Sequence, residues 1–94
     1  MDMLTAIQNW YASNCNGDWE QSYGVRITTL DNPGWAVDID LRGTPLEAII
    51  FEPIELDRGE DDWIRCKIQD SVFYGRCGPN NLTKLLEAFC KLCS

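Results

Sequence analysis

The chain contains no histidine. Histidine is the commonest general base near neutral pH and the usual partner of a nucleophilic serine or cysteine. Its absence removes the Ser-His and Cys-His nucleophile pairs, together with the zinc sites that use imidazole ligands. What remains open to the chain is carboxylate chemistry, thiol chemistry and binding.

Basic residues are also few, because eight lysines and arginines stand against fifteen aspartates and glutamates and give a net charge of -7. A surface of this sign repels phosphate backbones and attracts basic partners. Direct binding to nucleic acid or to an anionic membrane is therefore disfavoured. The expected partner is a basic protein.

Long apolar runs are missing as well, and no stretch approaches the length of a membrane-spanning helix. The first residues, Met1 to Thr5, have neither the basic start nor the apolar run of a signal peptide. The five cysteines form an odd set without an export signal, which indicates free thiols in a reducing compartment. We expect a cytoplasmic protein with no cofactor and no metal site.

Hydrophobic periodicity predicts a single α+β domain over residues 1–94. Leu4, Ile7 and Trp10 recur at helical spacing, and an apolar stripe from Leu82 to Leu92 predicts a second helix. Alternating apolar and polar residues predict strands at 23–30, 35–41, 51–58, 63–69 and 72–77. Short turns favour an antiparallel sheet of about five strands, a meander, with both helices packed on one face.

Two motifs could carry chemistry. Asp38 and Asp40 lie two residues apart on one strand, so their carboxylates share a face at about 7 Å, a spacing that suits a paired-acid or metal site. A solvated polar face is the favoured interpretation of this pair. Cys90 and Cys93 form a Cys-x-x-Cys at the carboxyl end of a helix, where the dipole opposes thiolate formation. Core packing is therefore favoured for these thiols.

Other polar and aromatic residues leave two interpretations open. The segment from Asp18 to Glu20 either shapes the turn after the first helix or contacts a partner. The acidic run from Glu60 to Asp62 is either a solvated hairpin tip or a surface for basic groups. Trp63 either packs against Trp35 or points outward, where it would be a good interface anchor.

Short segments along nearly the whole chain follow one another in a familiar order. They are Gln8-Asn9-Trp10-Tyr11, Asn16-Gly17-Asp18-Trp19-Glu20, Tyr23-Gly24-Val25, Leu30-Asp31-Asn32-Pro33-Gly34-Trp35, Asp40-Leu41, Asp62-Trp63-Ile64 and Gly78-Pro79-Asn80-Asn81-Leu82, with Leu86 and Phe89 beyond them. Together these segments resemble the immunity protein 53 family. The chain departs from that pattern at Cys77, where the family tends to have glycine, and at Leu92 and Cys93, where an aromatic residue is frequent.

The resemblance implies a role in bacterial polymorphic toxin systems, in which a small cytosolic protein neutralises a toxin domain by binding it. An acidic protein suits a basic toxin such as a nuclease, because carboxylates can occupy the groove that would hold phosphates. We expect the contact surface to combine hairpin tips with the open face of the sheet. Its predicted residues are Asp18, Trp19, Glu20, Asp31, Asn32, Asp38, Asp40, Glu60, Asp61, Asp62 and Trp63.

Two alternatives come from other functional classes. The resemblance also implies a small thiol enzyme, because some relatives carry names that suggest sulfur transfer. Cys77 would then be the nucleophile, and Arg76 is the only residue nearby in sequence that could stabilise its thiolate. A non-catalytic adaptor module would dimerise through an exposed strand edge. The acidic composition and the missing histidine favour toxin binding over catalysis.

Overall fold

The computed structural model describes residues 2–93. Within them the elements are α1 (Met3–Asn14), α2 (Trp19–Ser22), β1 (Val25–Leu30), β2 (Gly34–Asp40), β3 (Ile54–Asp57), β4 (Trp63–Gln69), β5 (Val72–Cys77) and α3 (Leu82–Cys93). The predicted α+β class is confirmed, because five antiparallel strands form one sheet with a helix near each end of the chain. The one-turn helix α2 is an element that the sequence pattern did not predict.

The strands lie in the order β1-β2-β5-β4-β3. The chain leaves β2, crosses to the far edge through residues 41–53, and returns through β3 and β4 so that β5 pairs with β2. The crossing segment is held against the core by Leu41 and Leu46, which are buried. Between them the buried Thr44 hydroxyl donates to the Leu41 carbonyl at 2.7 Å. The predicted meander is therefore observed for β3–β4–β5 only, because the long crossing segment brings β5 and not β3 next to the β1–β2 hairpin.

One face of the sheet, the covered face, carries the hydrophobic core. Ile39 of β2 and Phe73 of β5 are cross-strand partners and both are fully buried. Phe89 of α3 meets Phe73 edge to face, with ring centroids 5.3 Å apart, and Trp10 of α1 meets Phe89 in the same way at 5.2 Å. Such aromatic contacts add to the free energy of burying the rings. Helices α1 and α3 thus pack together over this face.

The opposite face, here called the open face, is polar. Strand alternation sends every second side chain of the central strands to this side. It carries Arg26, Thr28, Asp38, Asp40, Trp63, Arg65, Lys67, Tyr74 and Arg76.

Close backbone packing requires glycine at the start of β2. A Cβ atom on Gly34 would overlap the carbonyl oxygen of Cys77 in the neighbouring strand. Because the clash is with backbone, a larger residue there must move the β2–β5 pairing itself. Gly24 differs, since a Cβ atom on it would make only an ordinary contact with Tyr11 at 3.9 Å.

Replacement of these two glycines should therefore have unequal effects. We expect Gly34→Ala to lower the free energy of unfolding by about 1–3 kcal/mol, because strand backbone has to shift. The matched Gly24→Ala should change it by no more than about 0.5 kcal/mol. Urea denaturation followed by tryptophan fluorescence measures both values, and equal losses would contradict the close approach at Gly34.

Candidate functional site

The turns before β2 and before β4 lie at the same end of the sheet. Trp35, near the start of β2, pairs with Cys77 at the end of β5, and Cys77 pairs in turn with Ile64 near the start of β4. The two turns, residues 31–33 and 58–62, therefore lie at one end of the sheet. We call this end, with the residues that flank the two turns, the turn end.

The turn end brings together six of the predicted contact residues. A surface cavity of about 420 Å³ is lined by Asn32 from the first turn and by Glu60 and Trp63 from the second, along with Asp57, Gly59 and Arg65. Asp31, Asp61 and Asp62 belong to the same two turns. The segments 31–33 and 57–65 hold five carboxylates against two arginines. This end of the sheet is therefore negatively charged.

The three carboxylates at positions 60–62 of the second turn have different roles: Asp62 is hydrogen-bonded within the fold, whereas Glu60 and Asp61 face solvent. The guanidinium of Arg58 donates two hydrogen bonds to Asp62, both of 3.1 Å, and the side-chain amide of Asn81 donates a third at 3.0 Å. These bonds, first from Arg58 and then from Asn81, lower the pKa of the Asp62 carboxyl. Glu60 and Asp61 are exposed and form no ion pair with residues 2–93. Asp62 thus shapes the turn, and its two neighbours present the charge.

Asn81 connects this turn to the last helix. Its side chain is buried, with 6% of its surface exposed, and its Oδ1 accepts the N–H of Trp63 at 3.3 Å. Its carbonyl accepts the N–H of Leu85 in the first turn of α3 at 3.0 Å. A Cβ atom on the adjacent Gly78 would lie 2.8 Å from Asn81 Oδ1 and 2.7 Å from the carbonyl oxygen of Asp61. The turn end is therefore supported by a tightly packed layer that requires glycine.

Trp63 lies on the open face and keeps part of its ring accessible. The guanidinium of Arg65, two residues along the strand, stands 5.5 Å from the ring centroid, while the intervening Ile64 is buried on the covered face. Of the two interpretations for Trp63, the outward one is what the structure shows. Trp35 instead packs against the core, and its indole N–H donates to the carbonyl of Pro79 at 3.0 Å.

Asp38 and Asp40 also lie on the open face, but arginines neutralise both. Arg76 donates to Asp38 at 2.9 Å, and Arg42 donates twice to Asp40, at 3.0 and 2.6 Å. Burial disfavours the charged form of Asp40, yet the hydrogen bonds and charge of Arg42 outweigh it and lower the pKa of that carboxyl. In residues 2–93 no three cysteine, aspartate or glutamate side chains are arranged to hold a metal ion. Both carboxylates are thus engaged in ion pairs within the fold.

The segment from Asp18 to Glu20 lies away from the turn end and has mainly local contacts. Trp19 is 5% exposed, its indole N–H donates to the carbonyl of Arg42 at 2.7 Å, and its ring meets that of Trp10 with centroids 5.9 Å apart. The Glu20 carboxylate accepts two backbone N–H groups of the preceding turn at 3.0 and 2.8 Å. Trp19 thus has almost no surface left for a partner, and within this segment Asp18 is the most exposed of the three.

The thiols of the strands are buried. Cys77 is fully buried, and burial raises the pKa of its thiol. Burial also raises the pKa of Cys66 to about 11. Arg76 projects to the open face toward Asp38, away from the Cys77 thiol. A protonated, enclosed thiol is a poor nucleophile, because the thiolate is the reactive form.

Sequence patterns missed two residues that build the turn end, Arg58 and Asn81. The Arg58–Asp62 pair has a local signal, since the two residues are four apart across a short turn. Asn81 has none, because its contacts with Asp62 and Trp63 span 19 and 18 residues.

The chain matches the family described as Immunity protein 53 over residues 4–94, which is nearly its whole length. The chain belongs to the immunity protein 53 family. No significant match was found among curated proteins or among solved structures. Family membership supports an immunity role for this chain and implies a toxin as its partner. In the part of this family member that the structure describes, no helix has the length and apolar character needed to span a bilayer.

In this member of the immunity protein 53 family, Asn81→Ala should lower the free energy of unfolding by about 1–3 kcal/mol. The substitution leaves the Trp63 N–H without its side-chain acceptor and removes one of the hydrogen bonds to Asp62, whose Oδ1 still accepts from Arg58. Asn80 is exposed and adjacent, so Asn80→Ala is a matched control with an expected change within about 0.5 kcal/mol. Chemical denaturation measures both, and a loss for Asn81→Ala no larger than that of the control would contradict the bridging role.

Proposed function

We propose that this protein is a non-catalytic, cytoplasmic immunity protein that neutralises a cognate bacterial toxin domain by binding it through the turn end. The observation that carries the proposal is the convergence of two acidic turns beside the outward-facing Trp63, in a chain of the immunity protein 53 family. The five cysteines, all free, are compatible with a reducing compartment.

Electrostatics indicates the kind of toxin. The chain has a net charge of -7, and Asp31, Glu60 and Asp61 are exposed carboxylates at the turn end. Carboxylates presented together can occupy a basic groove that would otherwise bind phosphates. The proposed partner is therefore a basic toxin domain of nuclease type.

At the turn end, an aromatic side chain that could anchor a partner is surrounded by charged residues. Tight protein interfaces commonly have this arrangement. Trp63 supplies apolar ring surface next to the cavity, and tryptophan is among the commonest interface hot spots. The surrounding carboxylates supply association rate and discrimination between toxins. In this arrangement Asp62 and Asn81 act indirectly, because they hold the turn in place.

The alternative of a thiol enzyme has little support. Its nucleophile would be Cys77, which has no accessible surface and a raised pKa. A sulfurtransferase would need this thiol to reach a substrate and to ionise near neutral pH. Binding is the function that the arrangement of residues favours.

The direct test is co-expression with the toxin domain encoded beside the gene of this protein. We expect growth to be rescued, and a purified inactive toxin domain to form a complex whose affinity falls as salt rises. Absence of both rescue and complex at every salt concentration, with a toxin domain shown to be active, would contradict the proposal.

Charge reversal at the turn tip should slow association with that toxin domain. We expect Glu60→Lys combined with Asp61→Lys to lower the association rate constant by roughly tenfold and to flatten its salt dependence, because steering is lost. Glu47→Lys combined with Glu52→Lys makes the same change in net charge at exposed sites in the crossing segment. Stopped-flow or surface-based kinetics compares the two, and equal slowing would assign the effect to net charge alone.

Removal of the aromatic anchor should act on dissociation. We expect Trp63→Ala to raise the dissociation rate by roughly thirtyfold, as for a hot spot that contributes about 2 kcal/mol. Trp63→Phe should retain part of the affinity, because it keeps a ring at the same position. Circular dichroism verifies that both variants are folded, and an unchanged dissociation rate for folded Trp63→Ala would exclude Trp63 as an anchor.

A further inference from the structure

Strand β1 lies at an edge of the sheet and bonds to a neighbour on one side, through β2. The N–H of Asp40 in β2 donates to the carbonyl of Gly24 at 3.1 Å. This bond shows which residues of β1 are hydrogen-bonded to β2. In an antiparallel pair every second residue bonds to the partner strand, and the residues between point their N–H and C=O groups the other way. The residues of β1 whose backbone groups point away from the sheet are Val25, Ile27 and Thr29.

This edge lacks the features that usually prevent strands from pairing. The other edge strand, β3, is four residues long, follows Pro53 and carries the carboxylates Glu55 and Asp57. Proline, charge and short length are the common protections of an edge. Strand β1 has six residues, no proline and one charged residue, Arg26.

The groove between β1 and α1 is lined mainly by apolar side chains and contains no carboxylate. Leu4 and Tyr11 of α1 are 68% and 36% exposed. Together with Ile7, Gln8 and Val25 they line a groove of about 380 Å³ between α1 and β1. Two copies of a chain with a net charge of -7 repel each other. In an approach through β1, no carboxylate of the strand or of the groove opposes another.

We infer that β1 pairs with β1 of a second copy, in an antiparallel register centred on Ile27, to form a twofold-symmetric dimer with one continuous sheet. This register opposes Ile27 to Ile27 and Val25 to Thr29, so all three outward-bonding residues join the new ladder. Arg26 then faces Thr28 of the other copy. Moving the centre to Arg26 would oppose the two arginines directly and lose one bonded pair.

The register is self-complementary, which is what a closed dimer requires. Each contact made by one copy is repeated by symmetry in the other, so the pairing ends at two chains. The cross-strand neighbours at the bonded positions are β-branched, a residue class that packs well between strands. This inference is independent of the proposed toxin binding, since the turn end lies outside β1.

Substitution of Thr28 tests the register. For Thr28→Glu, the proposed register predicts a higher dimerisation affinity, whereas repulsion between the net charges of the two copies predicts a lower one. The side chain of Thr28 is exposed on the open face, so replacement should leave the fold intact. Thr28→Glu places a carboxylate opposite Arg26 of the other copy, twice per dimer, and should tighten dimerisation by roughly 2- to 30-fold. Thr28→Lys places like charges opposite each other and should weaken it. The added negative charge of Thr28→Glu would by itself weaken self-association.

Sedimentation equilibrium up to submillimolar concentration gives the dimerisation constants. Thr83→Glu and Thr83→Lys make the same charge changes at an exposed position on α3. In these controls, the glutamate should not tighten the dimer and the lysine should not weaken it. As dimer forms, the amides of Val25, Ile27 and Thr29 should gain protection from hydrogen exchange.

Three results would overturn the inference. They are a monomer at every concentration, a dimer weakened by Thr28→Glu, and dimer formation that leaves the three edge amides unprotected. Protection of these amides only when a toxin domain is added would assign the edge to that partner.

Discussion

Strands β2 and β5 run antiparallel along the middle of the sheet, with Trp35 opposite Cys77 and Asp40 opposite Val72. Each strand also belongs to a separate antiparallel unit, β1–β2 on one side and β3–β4–β5 on the other. Because direction reverses at every pairing, the β1–β2 turn and the β3–β4 turn must lie at the same end of the sheet. The pairing tolerates little change, since Gly34 lies against the carbonyl oxygen of Cys77. The location of the candidate site therefore follows from one central contact between strands.

The acidic residues of the chain serve two purposes that the structure separates. Asp38, Asp40 and Asp62 each accept hydrogen bonds from an arginine, at 2.9, 2.6 and 3.1 Å, and so balance charge within the fold. Exposed pairs of this kind contribute little to stability individually, and their effect is to hold side chains in position. Glu60 and Asp61 remain exposed next to the anchored Asp62. A turn held in this way can present like charges together, as a basic partner requires.

Alternation along the chain predicted β4 and β5 at their observed bounds, because each has a buried and a polar face. Strand β3 begins at Ile54 and not at Phe51, since Pro53 cannot donate to a ladder and Phe51 packs on Phe73 with centroids 5.8 Å apart. Such patterns cannot predict contacts between side chains that are far apart in the sequence. The Arg76–Asp38 ion pair spans 38 residues, and the burial of Trp19 depends on a hydrogen bond across 23 residues. The residue types and turns of the candidate site could therefore be predicted from the sequence, whereas the fold decides which of the predicted residues are engaged in ion pairs or buried.

Hydrogen exchange of the complex with a cognate, catalytically inactive toxin domain is the most direct test of the turn end as the contact surface. The account predicts that binding slows amide exchange in residues 31–34 and 57–63, because both turns meet the toxin. It predicts no change in residues 18–22 or in the crossing segment at 44–52. Protection confined to those two regions, with both turns exchanging as in the free protein, would contradict it.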